Sequence, residues 1–322
     1  MPGCATHYLF GVDVYHSIDN KNIQNIIKQH TAPYRLGLQG PDLFFYHLPY
    51  LKYNNYRNIG SYMHGHQVQD FFEKAFLALP TIQGTINQEI CCAWLSGFLC
   101  HYILDYTGHP FVYARINYSA NEKNRSASGE HAALELEIDR YYLKEKREIP
   151  LTKFHPYINF ALSKTEVNAV SDYMSFCMKN TFSRLYAKKQ YPITPNRIRF
   201  IIKEAKIESV LQMDPKNRKS KTIARFEDKL VHYRLLTYKF IADESIPIYD
   251  CLNKNHERWN NPWNPKLFSN DSFDDIYSRA LEKCFELFRL IDSDSIFTVS
   301  GVKKQLPAIL EFLGDRSYYS GL

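Results

Sequence analysis

The chain has 322 residues, 45% of them apolar and 15% aromatic, with a formal net charge of +6. That apolar content is enough for a substantial core, and the modest counts of 13 Gly and 15 Pro exclude collagen-like and low-complexity chains. The charge is compatible with contact to an anionic surface or substrate but is too small to mark a nucleic-acid-binding protein.

Helical periodicity is common along the chain, and strand-like alternation is rare. Ser61 to Leu79 places Met63, Val68, Phe71, Phe72, Ala75 and Phe76 on one face and stops at Pro80, so one amphipathic helix is expected. Ile86 to Gly108 is apolar all round, as a central buried helix is. Ser128 is a candidate N-cap for a helix running to about Lys146. Further helices are expected over about 163–188, 195–212, 222–241, 272–291 and 300–314, with prolines punctuating the connections. KNRKSK, residues 216–221, reads as a solvated basic loop, with contact to anionic lipid as the minor alternative. The expected fold is all-α, one compact multi-helix domain over 1–322, with a helical C-terminal lobe over about 195–322.

The seven cysteines form an odd set without CxxC spacing, which argues against a disulfide framework and against a thiolate zinc site. The opening MPGCATHYLFG lacks a basic and then apolar leader, and no run of about 18 apolar residues occurs. A cytoplasmic protein without a transmembrane helix is the expectation.

Chemistry concentrates in the first 145 residues. GFLCHYILDYTGHP puts His101, Asp105 and His109 four residues apart, so each lies only ~40° round the helix from the last. Unpaired, such groups cost several kcal/mol in an apolar helix. His131 and Glu135, in GEHAALELEID, repeat the spacing on the next helix. A lone pair of this kind is commonly a local helix pair. Two facing pairs can instead grip metal, and mixed His, Asp and Glu donors suit zinc, with iron or manganese less so. A carboxylate between two histidines can also bridge two metals for phosphoester hydrolysis.

With Thr6-His7, Gly40-Pro41-Asp42, His64, His101-x3-Asp105, His109 and His131-x3-Glu135 in this order, the chain resembles the zinc-dependent phospholipase C family. The all-α fold of that family also hosts S1/P1-type zinc nucleases. The resemblance implies one zinc held by Asp42, His64, His101 and Asp105, and a second held by His109, His131 and Glu135. It implies a third at His7, with Asp105 bridging. The family completes the third site with an N-terminal Trp; this sequence reads Met-Pro-Gly there, so two ions are expected and the third is left open. His109 follows Asp105 by four residues, where the secreted phospholipases use six. His47 and His66 compete with His64; His64 is preferred as opening a helix, with His66 roughly 200° round from it.

The implied activity is a zinc-dependent phosphoester hydrolase of phospholipase C type. Metal-bound hydroxide would attack a phosphodiester in line, with Asp42 as both ligand and general base. The alternatives are a nuclease or phosphomonoesterase on the same fold, or a non-catalytic metal-binding scaffold. The partners implied are a phospholipid or other phosphodiester, with peripheral membrane contact and no specific nucleic-acid partner. Phe44, Phe45, Tyr46 and Tyr50 either border the cleft or pack in the core. Residues 256–265, HERWNNPWNP, are expected to form a loop pinned by Trp259 and Trp263. No β-sandwich module is expected.

Overall fold

The computed structural model describes residues 3–47, 58–120, 126–187, 194–234, 236–243, 245–246 and 248–322. Tyr50 lies outside them. The first helices are α1 (Cys4–Ser17), α2 (Lys21–Gln29) and α3 (Thr31–Gly37), followed by a 3-10 segment over Gly40–Tyr46. Next come α4 (Ile59–Met63), α5 (Val68–Ala78), α6 (Thr85–Arg115), α7 (Ala127–Arg147), α8 (Lys164–Thr181) and α9 (Ser183–Ala187). Then α10 (Pro195–Leu211) and α11 (Arg218–Leu230) precede a hairpin of β1 (Trp259–Asn261) and β2 (Asn264–Ser269). Finally, α12 (Phe273–Leu290) and α13 (Val299–Leu313) close the described order. The architecture is all-α, as expected, with the small antiparallel hairpin as the addition.

Helix α6 is the axis. From Ile90 to Val112 nearly every side chain is buried, which is what an all-round apolar helix requires. Helices α1, α2, α3, α7, α8 and α12 pack round it. Contact between α3 and α6 is backbone to backbone: a Cβ on Gly37 would fall 2.1 Å from the Trp94 carbonyl oxygen, and one on Gly97 2.1 Å from that of Tyr34. No larger residue fits this crossing.

Local chemistry sets the helix starts. Ser163 with Glu166, and Ser272 with Asp275, form reciprocal capping boxes, and Thr194 caps α10 ahead of Pro195. Helix α1 differs, because its N-cap is Gly3, which has no side chain to offer. Asp139 of α7 replaces it, accepting from the Ala5 amide at 3.1 Å, the Thr6 amide at 2.7 Å and the Thr6 hydroxyl at 2.6 Å. One carboxyl thereby joins the two helices and satisfies first-turn donors that would otherwise be orphaned.

Several boundaries differ from the sequence reading. The expected helix over 61–79 is two helices, α4 and α5, because Gln67 takes a left-handed conformation (φ 55°) after the His64-Gly65-His66 turn. His64 therefore ends a short helix instead of opening a long one. Helix α6 does not stop at Gly108-Pro110 but continues to Arg115; Pro110 removes one ladder donor, and burial carries the helix through. Helix α7 starts at Ala127, so Ser128 lies inside it and the N-cap position falls to Ser126, whose hydroxyl donates to Glu130 without making a capping bond. The basic stretch 216–221 is not a loop throughout, since α11 begins at Arg218 and ends at Leu230, short of 241. The 256–265 stretch is largely a hairpin, with the Trp259 indole donating to the Asp271 carbonyl at 3.0 Å. All seven cysteines are free thiols. Among the described residues, no helix is long and apolar enough to cross a membrane.

Candidate metal centre

Eight residues singled out from the sequence meet at one place. His7 comes from α1 and Asp42 from the 3-10 segment. His64 stands at the end of α4. His101, Asp105 and His109 form the polar stripe of α6, and His131 and Glu135 that of α7. Their donor atoms form three close groups: Asp42 with His64 and His101, His7 with His101 and Asp105, and His109 with His131 and Glu135. Asp105 sits between histidines on both sides. Its Oδ1 is 3.1 Å from His7 Nε2, while its Oδ2 is 3.0 Å from His101 Nε2 and 3.8 Å from His64 Nε2. His131 Nε2 and His109 Nε2 lie 3.0 and 3.4 Å from Glu135 Oε1. His66 is exposed and stacks on Tyr62 at 4.3 Å, away from the cluster.

The backbone fixes which ring nitrogen each histidine presents. His64 Nδ1 lies 2.7 Å from the Gly60 carbonyl, His101 Nδ1 3.1 Å from Leu38 and His109 Nδ1 2.9 Å from Tyr318. A carbonyl only accepts, so each Nδ1 carries a proton and Nε2 is the nitrogen turned to the cluster. This is the arrangement metal-binding histidines use. Gly40 makes it possible at His101. Its φ is +51°, and a Cβ there would fall 2.0 Å from His101 Cδ2.

The unsatisfied atoms test whether a cation fits. His101 Nε2 and Asp105 Oδ2 are close and buried, yet neither has a partner in hydrogen-bonding geometry. His7 Nδ1 and His131 Nδ1 are also buried without partners. Short contacts without hydrogen-bond direction are what atoms sharing an ion display, and orphaned buried groups are otherwise costly. The electrostatics agree. Burial pushes the Asp105 carboxyl up, but His101, His109 and His7 outweigh it and hold it well below the usual carboxylate range. Burial likewise opposes Glu135, and His131 and His109 still bring it down to about 2. Burial lowers His109, and Asp105 and Glu135 more than reverse this, raising it to about 10, so a cation bound at its Nε2 would displace a proton held between His109 and Glu135. His101 is lowered, chiefly by its burial, so its ring stays neutral as a ligand must be. The carboxylates remain ionised, and their field favours positive charge.

The cluster forms the floor of a cavity of about 790 Å³. Phe45, Tyr113, Tyr118 and Tyr319 give it aromatic walls, and His47 lines it while contacting Glu204 at 2.6 Å. Phe44 and Tyr46 are core residues instead, so the aromatic run divides between the two roles proposed for it. Trp263 backs the wall, packing edge-on to Tyr113 at 5.0 Å. His16, His155 and His232 are exposed, and His30 meets Glu89 at 3.4 Å, all remote from these groups.

Sequence reasoning missed several residues. Tyr113 continues the four-residue spacing of His101, Asp105 and His109, and that signal was available. Tyr318 and Tyr319 had none: Tyr319 stacks on His64 at 4.9 Å and 18°, and Tyr318 serves His109 through its backbone. Asp139 was likewise invisible, because its partners lie more than 130 residues away.

This donor set on an all-α frame defines a class of multi-histidine metal proteins. The chain belongs to the zinc-dependent phospholipase C family, whose model matches residues 6–191 and so spans all eight cluster residues. No curated protein and no solved structure matches the chain.

Proposed function

We propose that the protein is a zinc-dependent phosphoester hydrolase of phospholipase C type, acting on a phosphodiester held in the aromatic-walled cavity. The observation that carries this reading is the position of three donor groups on the floor of a cavity large enough for a phosphodiester headgroup. In this reading Asp42, His64, His101 and Asp105 hold one zinc, and His109, His131 and Glu135 a second. His7 and Asp105, with His101 beside them, form the weakest position, for a third. Residues 1–322 act as one helical unit, with the metal residues within 1–145.

Bound zinc supplies Lewis acidity to phosphate oxygens and an acidified water with a pKa near ~7. The protein's part is positional. Asp105, with a side chain only 4% exposed, is locked between histidines and cannot move a proton. The Asp42 side chain is 17% exposed and lines the cavity beside His64, so it is the carboxylate that would take a proton from a water acidified by bound zinc. Phe45, Tyr113 and Tyr319 exclude bulk water and hold the substrate's organic portion against the cluster.

The test compares a phospholipid, a bis-aryl phosphodiester and single-stranded DNA, together with zinc content. His101→Ala and Asp105→Ala are expected to lose metal and turnover together. Full turnover in either variant would sink the assignment, and turnover of DNA alone would replace it with the nuclease reading.

A further inference from the structure

Helix α11 buries almost nothing: Ser220 and Glu227 are its buried residues. Polar ties hold it in place. Asp214 accepts from the Arg218 amide and from the Ser220 amide and hydroxyl, and Glu227 accepts from Leu236 and Thr237. Its apolar side chains face outward instead, Phe226 being 59% and Leu230 76% exposed. With Ile223 they fall at i, i+3 and i+7, one stripe of the helix. The neighbouring α10 does the same: Phe200, Ile207 and Leu211 share a stripe and are 51%, 51% and 60% exposed.

Scattered surface apolar residues need no explanation, but stripes on successive helices do. Their position supplies one. Leu211, Ile223 and Leu236 line the cavity above the metal cluster, yet Leu211 and Leu236 are 60% and 45% exposed. Side chains that both line a cavity and meet solvent stand at its mouth. Beside the α11 stripe run the exposed Arg218, Arg225 and Lys229, within about 100° of Phe226 on the helix. The exposed acid, Asp228, lies on the far side and is tied to Arg234. Aromatic and aliphatic groups on one face with lysine and arginine beside them describe a helix that lies in a membrane interface.

We propose that α10 and α11 seat the protein on an anionic phospholipid bilayer, with the stripe of α11 inserted among the acyl chains and its basic edge on the headgroups. The cavity mouth then opens onto the lipid surface. The purpose of this docking rests on the phospholipase reading; the surface itself does not. A second copy of the chain fits less well, because α11 has basic groups beside its stripe and, among the described residues, no exposed acid there to pair with them, Asp228 lying on the far side and tied to Arg234.

The test is co-sedimentation of the full chain with vesicles of phosphatidylcholine alone or of equimolar phosphatidylcholine and phosphatidylserine. Binding is expected to be tighter on the anionic vesicles. The double variant Phe226→Ser, Leu230→Ser is expected to weaken it about tenfold or more. Arg225→Gln with Lys229→Gln is expected to lose about thirtyfold on anionic vesicles and little on neutral ones. All four positions are exposed, so both variants fold, and hydrolysis of a water-soluble bis-aryl phosphodiester is unchanged in each. Unchanged vesicle binding in both variants would overturn the proposal. So would a wild-type dimer, seen by sedimentation velocity, that the Phe226, Leu230 variant converts to monomer. Failure of the phospholipase reading shows separately, as absent hydrolysis with vesicle binding that still falls in the variants.

Discussion

Replacing Asp139 by alanine removes the acceptor that starts α1. In the wild type its carboxyl takes the Ala5 and Thr6 amides and the Thr6 hydroxyl, all buried. Gly3 cannot substitute, having no side chain. A buried donor left without a partner costs about 1–3 kcal/mol, and losing a cap about 0.5–2 kcal/mol. Together these give about 1.5–5 kcal/mol at the start of α1, or roughly ten- to several-thousand-fold in its opening equilibrium. The pH matters. Burial outweighs the three donors and pushes the Asp139 carboxyl up to about 6 from an ordinary 3.8. Between about pH 4 and 6 the folded state therefore keeps a proton that the unfolded state has released. Its stabilising contribution is complete below about pH 4 and is lost as pH rises through about 6, by about 3 kcal/mol in total. The variant lacks this dependence, so the gap between the two proteins is widest below about pH 4, narrows between about pH 4 and 6, and is level above that. The assay is amide hydrogen exchange on the metal-free protein, comparing Ala5–Phe10 with α8 as an internal reference. Unchanged protection in α1, a loss shared equally by α8, or a gap that widens toward pH 7 would refute the reasoning.

Gly40→Ala sets a Cβ into the His101 ring and forces an L-residue into φ +51°, costing about 1–2 kcal/mol of backbone strain alone. Zinc content by mass spectrometry is expected to fall while far-ultraviolet circular dichroism stays native; full zinc content would refute the steric argument. Chelation is expected to lower the thermal midpoint, since zinc held at a thousandfold over its dissociation constant contributes about 4 kcal/mol per site. An unmoved midpoint in the presence of a chelator would mean that the clusters do not bind metal in solution.

The legible parts of this protein are those carried by local spacing. His101, Asp105 and His109 were visible because ionisable groups at every fourth position contradict an apolar helix. His131 and Glu135 were visible because they repeat the pattern nearby. Central helix α6 could be read from composition, but its end could not. Pro110 is a local stop signal, and the packing that overrides it is not local. The break at His64–Gln67 was hidden for the opposite reason, as the apolar spacing runs across it and only the backbone turns. Helix α1 gave little periodic signal, being apolar on most sides with eight residues buried, whereas α2 carried one in Ile23, Ile26 and Ile27 at i, i+3 and i+4 that the sequence reading did not use. Asp139 and Tyr318 act at separations of 134 and 209 residues, one of them through a backbone atom that every residue possesses.

The bond from His109 to the Tyr318 carbonyl has a consequence for the order in which the protein is made. His64 and His101 receive their orienting carbonyls from Gly60 and Leu38, residues synthesised before them. His109 takes its own from a residue made 209 positions later. At roughly 5–20 residues per second, that is an interval on the order of tens of seconds. During it the nascent chain carries His109 with a ring free to turn and either tautomer open to it. The His109 ring is therefore oriented only once the C-terminal residues have been made, whereas the acceptors for the His64 and His101 rings are already in the chain when those residues are added.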